Sequence, residues 1–123
     1  MKKTIQLILF IAVVTISISA LNSCDSSTYE EISKITNPTY EANMKSIFTS
    51  NCTSCHSENG TQQSPYLTTY AEVKDGIENG VVLCIIDNPE DCFYSDIMPP
   101  AGRMPQTTID LIKLWQTNGY VEQ

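Results

Sequence analysis

The densest chemistry in this sequence lies in five residues, Cys52-Thr53-Ser54-Cys55-His56. Two thiols with two residues between them are followed at once by an imidazole. Such a set serves four chemistries. The separation suits two thioether bonds to the vinyl groups of a haem, and the histidine then falls beneath the iron as proximal ligand. A zinc site would combine Cys52 and Cys55 with His56, Cys84 or Cys92. A redox dithiol would sit near a βαβ pattern, and the chain has none. A plain Cys52–Cys55 disulfide is the structural alternative. His56 is the only histidine, so no other imidazole competes for the role. The long gap before Cys84 weakens zinc, and covalent haem attachment is the expected reading.

The start of the chain bears on that choice, because such attachment requires an export route. Met1-Lys2-Lys3 is a short basic opening, and residues 4–21 are mostly apolar and uncharged. These are the first two regions of a secretory signal. Leu21-Asn22-Ser23-Cys24 resembles a bacterial lipobox, in which the cut precedes the cysteine and that cysteine carries the lipid. Residues 1–23 are therefore expected to be a lipoprotein signal peptide, with Cys24 the lipidation site. An uncleaved membrane anchor is the alternative, since the run is only slightly short of the roughly 20 residues a spanning helix needs. In both readings the remainder faces outward from the membrane, in the bacterial cell envelope. Ser, Thr and Glu between Asp25 and Asn37 read as a flexible tether, so 24–38 is expected to link lipid to domain and 39–123 to be the domain.

Charge narrows the partners. The chain carries 7 basic and 14 acidic residues, a net charge of −7. Removing the leader takes Lys2 and Lys3 and no acid, which leaves about −9. Nucleic acid is excluded as a partner, because phosphate binding needs clustered Lys and Arg. A redox protein with a basic docking face fits such a charge, although acidity also serves solubility alone.

About 85 residues make a core that is marginal without a staple. There are 5 cysteines. With Cys24 lipidated and Cys52 and Cys55 in the motif, Cys84 and Cys92 remain, and in an oxidising compartment they are expected to bond to each other. A haem would be the second staple. Its other axial ligand is expected to be methionine, which with histidine raises the potential. Met98 and Met104 both lie downstream. Met98 precedes Pro99-Pro100, which stiffen the backbone and remove donors, so it is the expected ligand and Met104 the alternative. Met44 reads as core filler.

The elements that must position these groups can be read from periodicity and caps. A first helix is predicted from about Asn37-Pro38-Thr39 to Ser50, with Tyr40, Met44, Ile47 and Phe48 as its apolar stripe. A second is predicted from Thr69 to Asn79, with a Thr69/Glu72 capping box and a stop at Gly80. Val81 to Ile86 reads as a short β-like run, followed by a turn at Asp87-Asn88-Pro89-Glu90. A last helix is expected to be capped by Thr107 and Asp110, to bury Ile109, Leu111, Ile112, Leu114 and Trp115, and to end at Gly119. Tyr66, Tyr70 and Trp115 are either haem neighbours or ordinary aromatics. Arg103 is either a partner for a haem propionate or a solvated cation.

The ordered set of Cys52-Thr53-Ser54-Cys55-His56, Ile97-Met98-Pro99-Pro100 and a closing helix ending Leu114-Trp115-Gln116-Thr117-Asn118-Gly119 resembles the mono-haem class I cytochrome c family, in particular the small cytochrome domains of bacterial lipoproteins. The resemblance covers roughly residues 38–121. It implies an all-α fold in which the first and last helices cross and three main helices enclose one covalently bound haem c. It also implies His56 and Met98 as axial ligands and electron transfer as the function. Cys84 and Cys92, and the short disulfide-closed loop they would form, are additional to the usual pattern.

Electron carriage rather than enzymatic turnover is thus expected. Little chain is left for a small-molecule substrate pocket, and no Ser–His–acid set or carboxylate pair suggests hydrolysis. A haem-based ligand sensor, or an electron-entry subunit of a larger oxidoreductase, are the alternatives.

Overall fold

Thr39 sets where the first helix begins. Its hydroxyl accepts from the Ala42 amide, while its own amide donates to Asn43 Oδ1. Such reciprocal capping satisfies donors that a helix start leaves open. The helix α1 opens as a π-helical turn over Tyr40–Met44 and continues as regular α-helix over Lys45–Asn51. Tyr40, Met44 and Phe48, spaced four apart, are buried as one stripe, as predicted. The structure is a computed structural model that describes residues 32, 34–62, 64–92 and 97–123. Contacts divide the chain into two units, 1–30 and 31–123, and all the elements named below belong to the second. The expected signal peptide (1–23), the lipid site Cys24 and most of the 24–38 linker lie outside the described residues.

The second helix, α2, spans Tyr70–Glu78 and has the predicted capping box: Thr69 accepts from the Glu72 amide, and Glu72 accepts from the Thr69 amide. It stops two residues short of Gly80. Its Gly76 lets it approach the next element closely. A Cβ there would sit 3.0 Å from Val82 Cγ2 and 3.2 Å from Leu67 Cδ2.

That next element corrects an expectation. The run read as β-like is a helix, α3, over Val82–Asp87. The described residues contain no strand. Short apolar runs are ambiguous between strand and buried helix, and here tertiary packing decides. Val82, Ile85 and Ile86 stand at i, i+3 and i+4, so a helix puts all three on one side, whereas a strand would split them. A 3₁₀ turn over Pro89–Cys92 follows, and a Cys84–Cys92 disulfide ties it to α3 with the Cα atoms 5.9 Å apart. The expected bridge and its short closed loop are therefore present.

The last helix, α4, spans Gln106–Thr117 and ends at Gly119, whose φ of +82° suits glycine. Its start departs from expectation. Pro105 is the cap residue, and its carbonyl accepts from the amides of Thr108 and Ile109. Thr107 lies inside the first turn. Its hydroxyl is buried without a partner among the described residues. Asp110 accepts from Gln106 Nε2 instead of capping.

The core forms where the two ends of the domain meet. Trp115 on α4 is fully buried among Tyr40, Tyr70 and Tyr120, with ring centroids 5.1–6.2 Å from its own. The C-terminal tail completes α1. Val121 and Glu122 carbonyls accept from the Tyr40 and Glu41 amides, and the Val121 carbonyl also accepts from Trp115 Nε1. First helix, last helix and tail thus share hydrogen bonds as well as apolar contacts. No helix among the described residues is long and apolar enough to cross a membrane.

Candidate functional site

The motif is wound by the end of α1. After Asn51 the chain keeps turning: the Cys52 amide donates to Phe48 O at 2.8 Å, and the amides of Cys55 and His56 both donate to Cys52 O, at 3.1 and 2.8 Å. This winding brings both thiols and the imidazole onto the wall of one cavity. Cys52 and Cys55 are free thiols, so the Cys52–Cys55 disulfide is absent here. Burial pushes the Cys52 thiol up to about 11, with the neighbouring Cys55 adding to the shift. That shift favours the uncharged thiol at neutral pH for as long as Cys52 is unbonded.

The loop after the motif folds back onto it. Gln62 N donates to Cys55 O and Leu67 N to His56 O, both at 3.0 Å. Gly60 lies so close beneath the Cys55 carbonyl that a Cβ there would collide with its oxygen. The imidazole is oriented by the same loop. His56 Nδ1 lies 3.0 Å from the Pro65 carbonyl oxygen. A carbonyl only accepts, so Nδ1 donates, and in the neutral ring this leaves the Nε2 lone pair for a metal.

The cavity has a volume of about 360 Å³, in the roughly 300–1,000 Å³ range of cofactor sites. Each wall comes from a different element. Cys52, Cys55 and His56 form one side, and Pro65 and Leu67 of the returning loop a second. Val82, Ile85 and Ile86 of α3 form a third. The segment Met98-Pro99-Pro100, the strap, forms the fourth. Met98 is half-buried on this wall, whereas Met104 does not line it and is 5% exposed within the core. Met44 is core, as expected.

Other residues considered from the sequence fall elsewhere. Tyr70 and Trp115 belong to the aromatic core, Tyr66 is 40% exposed, and none of the three lines the cavity. Arg103 is held by Asp87 and Gln106. Sequence reasoning missed the third wall entirely. The i, i+3, i+4 spacing of Val82, Ile85 and Ile86 was its one trace in the sequence, in a run too short for periodicity to decide.

Two thiols, one oriented imidazole nitrogen, one thioether and otherwise largely apolar walls suit a haem better than the rival cofactors. Cys84 and Cys92 are spent on each other, and no group of three or more His, Cys, Asp and Glu side chains comes together among the described residues as a metal site. Apolar walls are what an iron porphyrin buries, and imidazole and thioether are axial donors it takes. No curated protein and no solved structure matches the chain. The family model for cytochrome c matches residues 41–113, from the second residue of α1 to near the end of α4, and thus takes in every wall of the cavity. On that match, which extends over more than half of its length, the chain belongs to the cytochrome c family, whose single domain binds one covalent c-type haem.

Proposed function

We propose that the protein is a one-electron carrier with His/Met axial ligation. Cys52 and Cys55 hold the haem through thioether bonds, His56 is the proximal ligand and Met98 the distal one. The haem supplies the one-electron iron couple. The chain supplies orientation, burial and docking. The observation that carries this reading is that Met98, and not Met104, shares the cavity wall with the motif. The Pro65 carbonyl holds His56 in the tautomer a ligand needs, and α3 and the strap line the cavity with apolar side chains.

Protein matured in a host competent for haem attachment tests the reading. A pyridine haemochrome spectrum should report one haem with both vinyls saturated. Wild-type ferrous protein should be low-spin, and Met98→Ala should turn it high-spin while Met104→Leu leaves it low-spin. A wild-type spectrum that is already high-spin, and unchanged by Met98→Ala, would sink the carrier reading in favour of a sensor with an open sixth position.

The carrier is tethered outside the cytoplasm through lipid on Cys24, with residues 24–38 as its leash. The basic start, the apolar run 4–21 and Ser23-Cys24 support this. Incorporation of labelled palmitate, abolished by Cys24→Ala, is the expected result, and an unlabelled mature chain would count against it. Its redox partner presents a basic face, since Lys45, Lys74, Arg103 and Lys113 are each engaged by an acid of this chain.

A further inference from the structure

The strap carrying Met98 has a side-chain anchor outside the cavity. Five residues after Met98, Arg103 reaches the C-terminal end of α3. Its Nε donates to the Asp87 carbonyl oxygen at 3.1 Å, and its Nη2 donates to Asp87 Oδ1 at 3.1 Å and to Gln106 Oε1 at 2.7 Å. Asp87 is gripped from the other side, with Lys113 Nζ 2.6 Å from Oδ2. One carboxylate therefore links three elements: the strap, the helix whose Val82, Ile85 and Ile86 wall the cavity, and α4. Between Met98 and Arg103 the chain has little slack. Pro99 and Pro100 fix two φ angles, and Gly102 N donates to Pro99 O at 3.0 Å across a turn that Gly102 completes at φ +134°. Met104, directly after Arg103, is plugged into the core.

We propose that Arg103 is the positioning residue for Met98, holding the strap to the end of α3 so that the thioether stays at the cavity wall. The guanidinium suits this task better than an ammonium, because its planar fork meets a backbone carbonyl and a carboxylate at once. The inference rests on the reading of Met98 as distal ligand, and the experiment separates the two.

The assay is imidazole titration of the ferric holoprotein, followed in the visible spectrum. An external ligand enters only as Met98 yields, so affinity reports how firmly the strap holds it. Arg103→Leu should raise imidazole affinity by about five- to tenfold, the effect of losing a charged, multiply hydrogen-bonded contact. Arg103→Lys should fall between Leu and wild type. Asp87→Asn, which keeps the backbone carbonyl but loses the charge, should also raise affinity and decides the matter if Arg103→Leu yields no holoprotein. Lys45→Met breaks the exposed pair with Glu41 on α1 and should leave affinity unchanged. If Met98→Ala raises affinity while Arg103→Leu and Asp87→Asn stay within twofold of wild type, the anchor is wrong and the ligand reading stands. If Met98→Ala itself has no effect, both fall.

Discussion

A single proton decides much about the Asp87 carboxylate. The hydrogen bond from Lys113 is the largest influence on it and lowers its pKa; burial opposes that, and the charge of Lys113 with the charge and hydrogen bond of Arg103 tips the balance to below the usual carboxylate range. A carboxylate depressed on folding stabilises the native state above its unfolded pKa, and that contribution is lost as pH falls through the lower folded value. The loss therefore begins below about pH 4 and is absent from the neutral range. Thermal midpoints measured between pH 7 and pH 3 should fall more steeply for wild type than for Asp87→Asn. Parallel curves would show that the pair contributes nothing, the common fate of exposed ion pairs. Gly60 offers a steric test on the same scale. Any side chain must push on the Cys55 carbonyl, and that carbonyl already accepts from Gln62 N. Gly60→Ala should cost about 1–3 kcal/mol and lower the yield of haem-bearing protein, read as the ratio of haem absorbance to protein. An unchanged ratio with an unchanged melting curve would mean that the loop yields.

At the scale of elements, what was legible in the sequence was whatever depends on neighbours a few residues away. The α2 capping box needs only Thr69 and Glu72, and both ends of that helix lie close to their expected positions. The α1 stripe needs only a four-residue repeat. The disulfide followed from which cysteines were left over. The failures were non-local. Val82–Asp87 is six residues long, too short for periodicity to override β-branched composition; what accompanies its helical state is non-local, the close approach of Val82 to Gly76 on α2 and the covalent tie to the 3₁₀ turn. Thr107 looked like a cap because hydroxyls usually cap. The chain enters α4 earlier because the Pro105 carbonyl already serves the first amides. Likewise Cys52, Cys55, His56 and Met98 could be singled out in the sequence and do line one cavity, but its apolar walls were not readable, since Leu67, Val82, Ile85 and Ile86 meet only in three dimensions. The tie on α3 gives a prediction at this scale. Opening a loop whose cysteines are eight residues apart should cost about 2–3 kcal/mol by chain entropy. A Cys84→Ser/Cys92→Ser double variant should unfold at correspondingly lower denaturant with its haem still attached. A variant as stable as wild type would leave the bridge without a structural purpose.

For the whole molecule, the aromatic junction of α1, α4 and the tail makes one body of a short domain, while the charges decide what that body meets. Four of the five basic residues downstream of the expected leader are consumed internally. Lys45 and Lys74 pair with acids one turn away on their own helices, and Arg103 and Lys113 converge on Asp87. Lys74 also lies 5.5 Å from the Tyr120 ring centroid. The acids outnumber them, and Glu58, Asp75, Glu90, Asp91 and Glu122 are all exposed. Lys34 is the one basic residue outside these pairs and is exposed, and the outward field is negative overall. Such a field accelerates encounter with a positive surface and slows encounter with a negative one, and salt weakens both effects as the screening length shrinks from about 30 Å at 0.01 M to about 8 Å at 0.15 M. Electron transfer from this cytochrome to a small cationic oxidant should slow by about tenfold across that range of salt. Transfer to an anionic oxidant of similar potential should speed up. The anchor residues provide an internal control. Arg103→Leu changes the net charge by one unit and leaves the field negative, so it should alter ligand exchange at the iron without changing the sign of either salt slope. A salt-independent rate with both oxidants would mean that the acidity serves solubility alone.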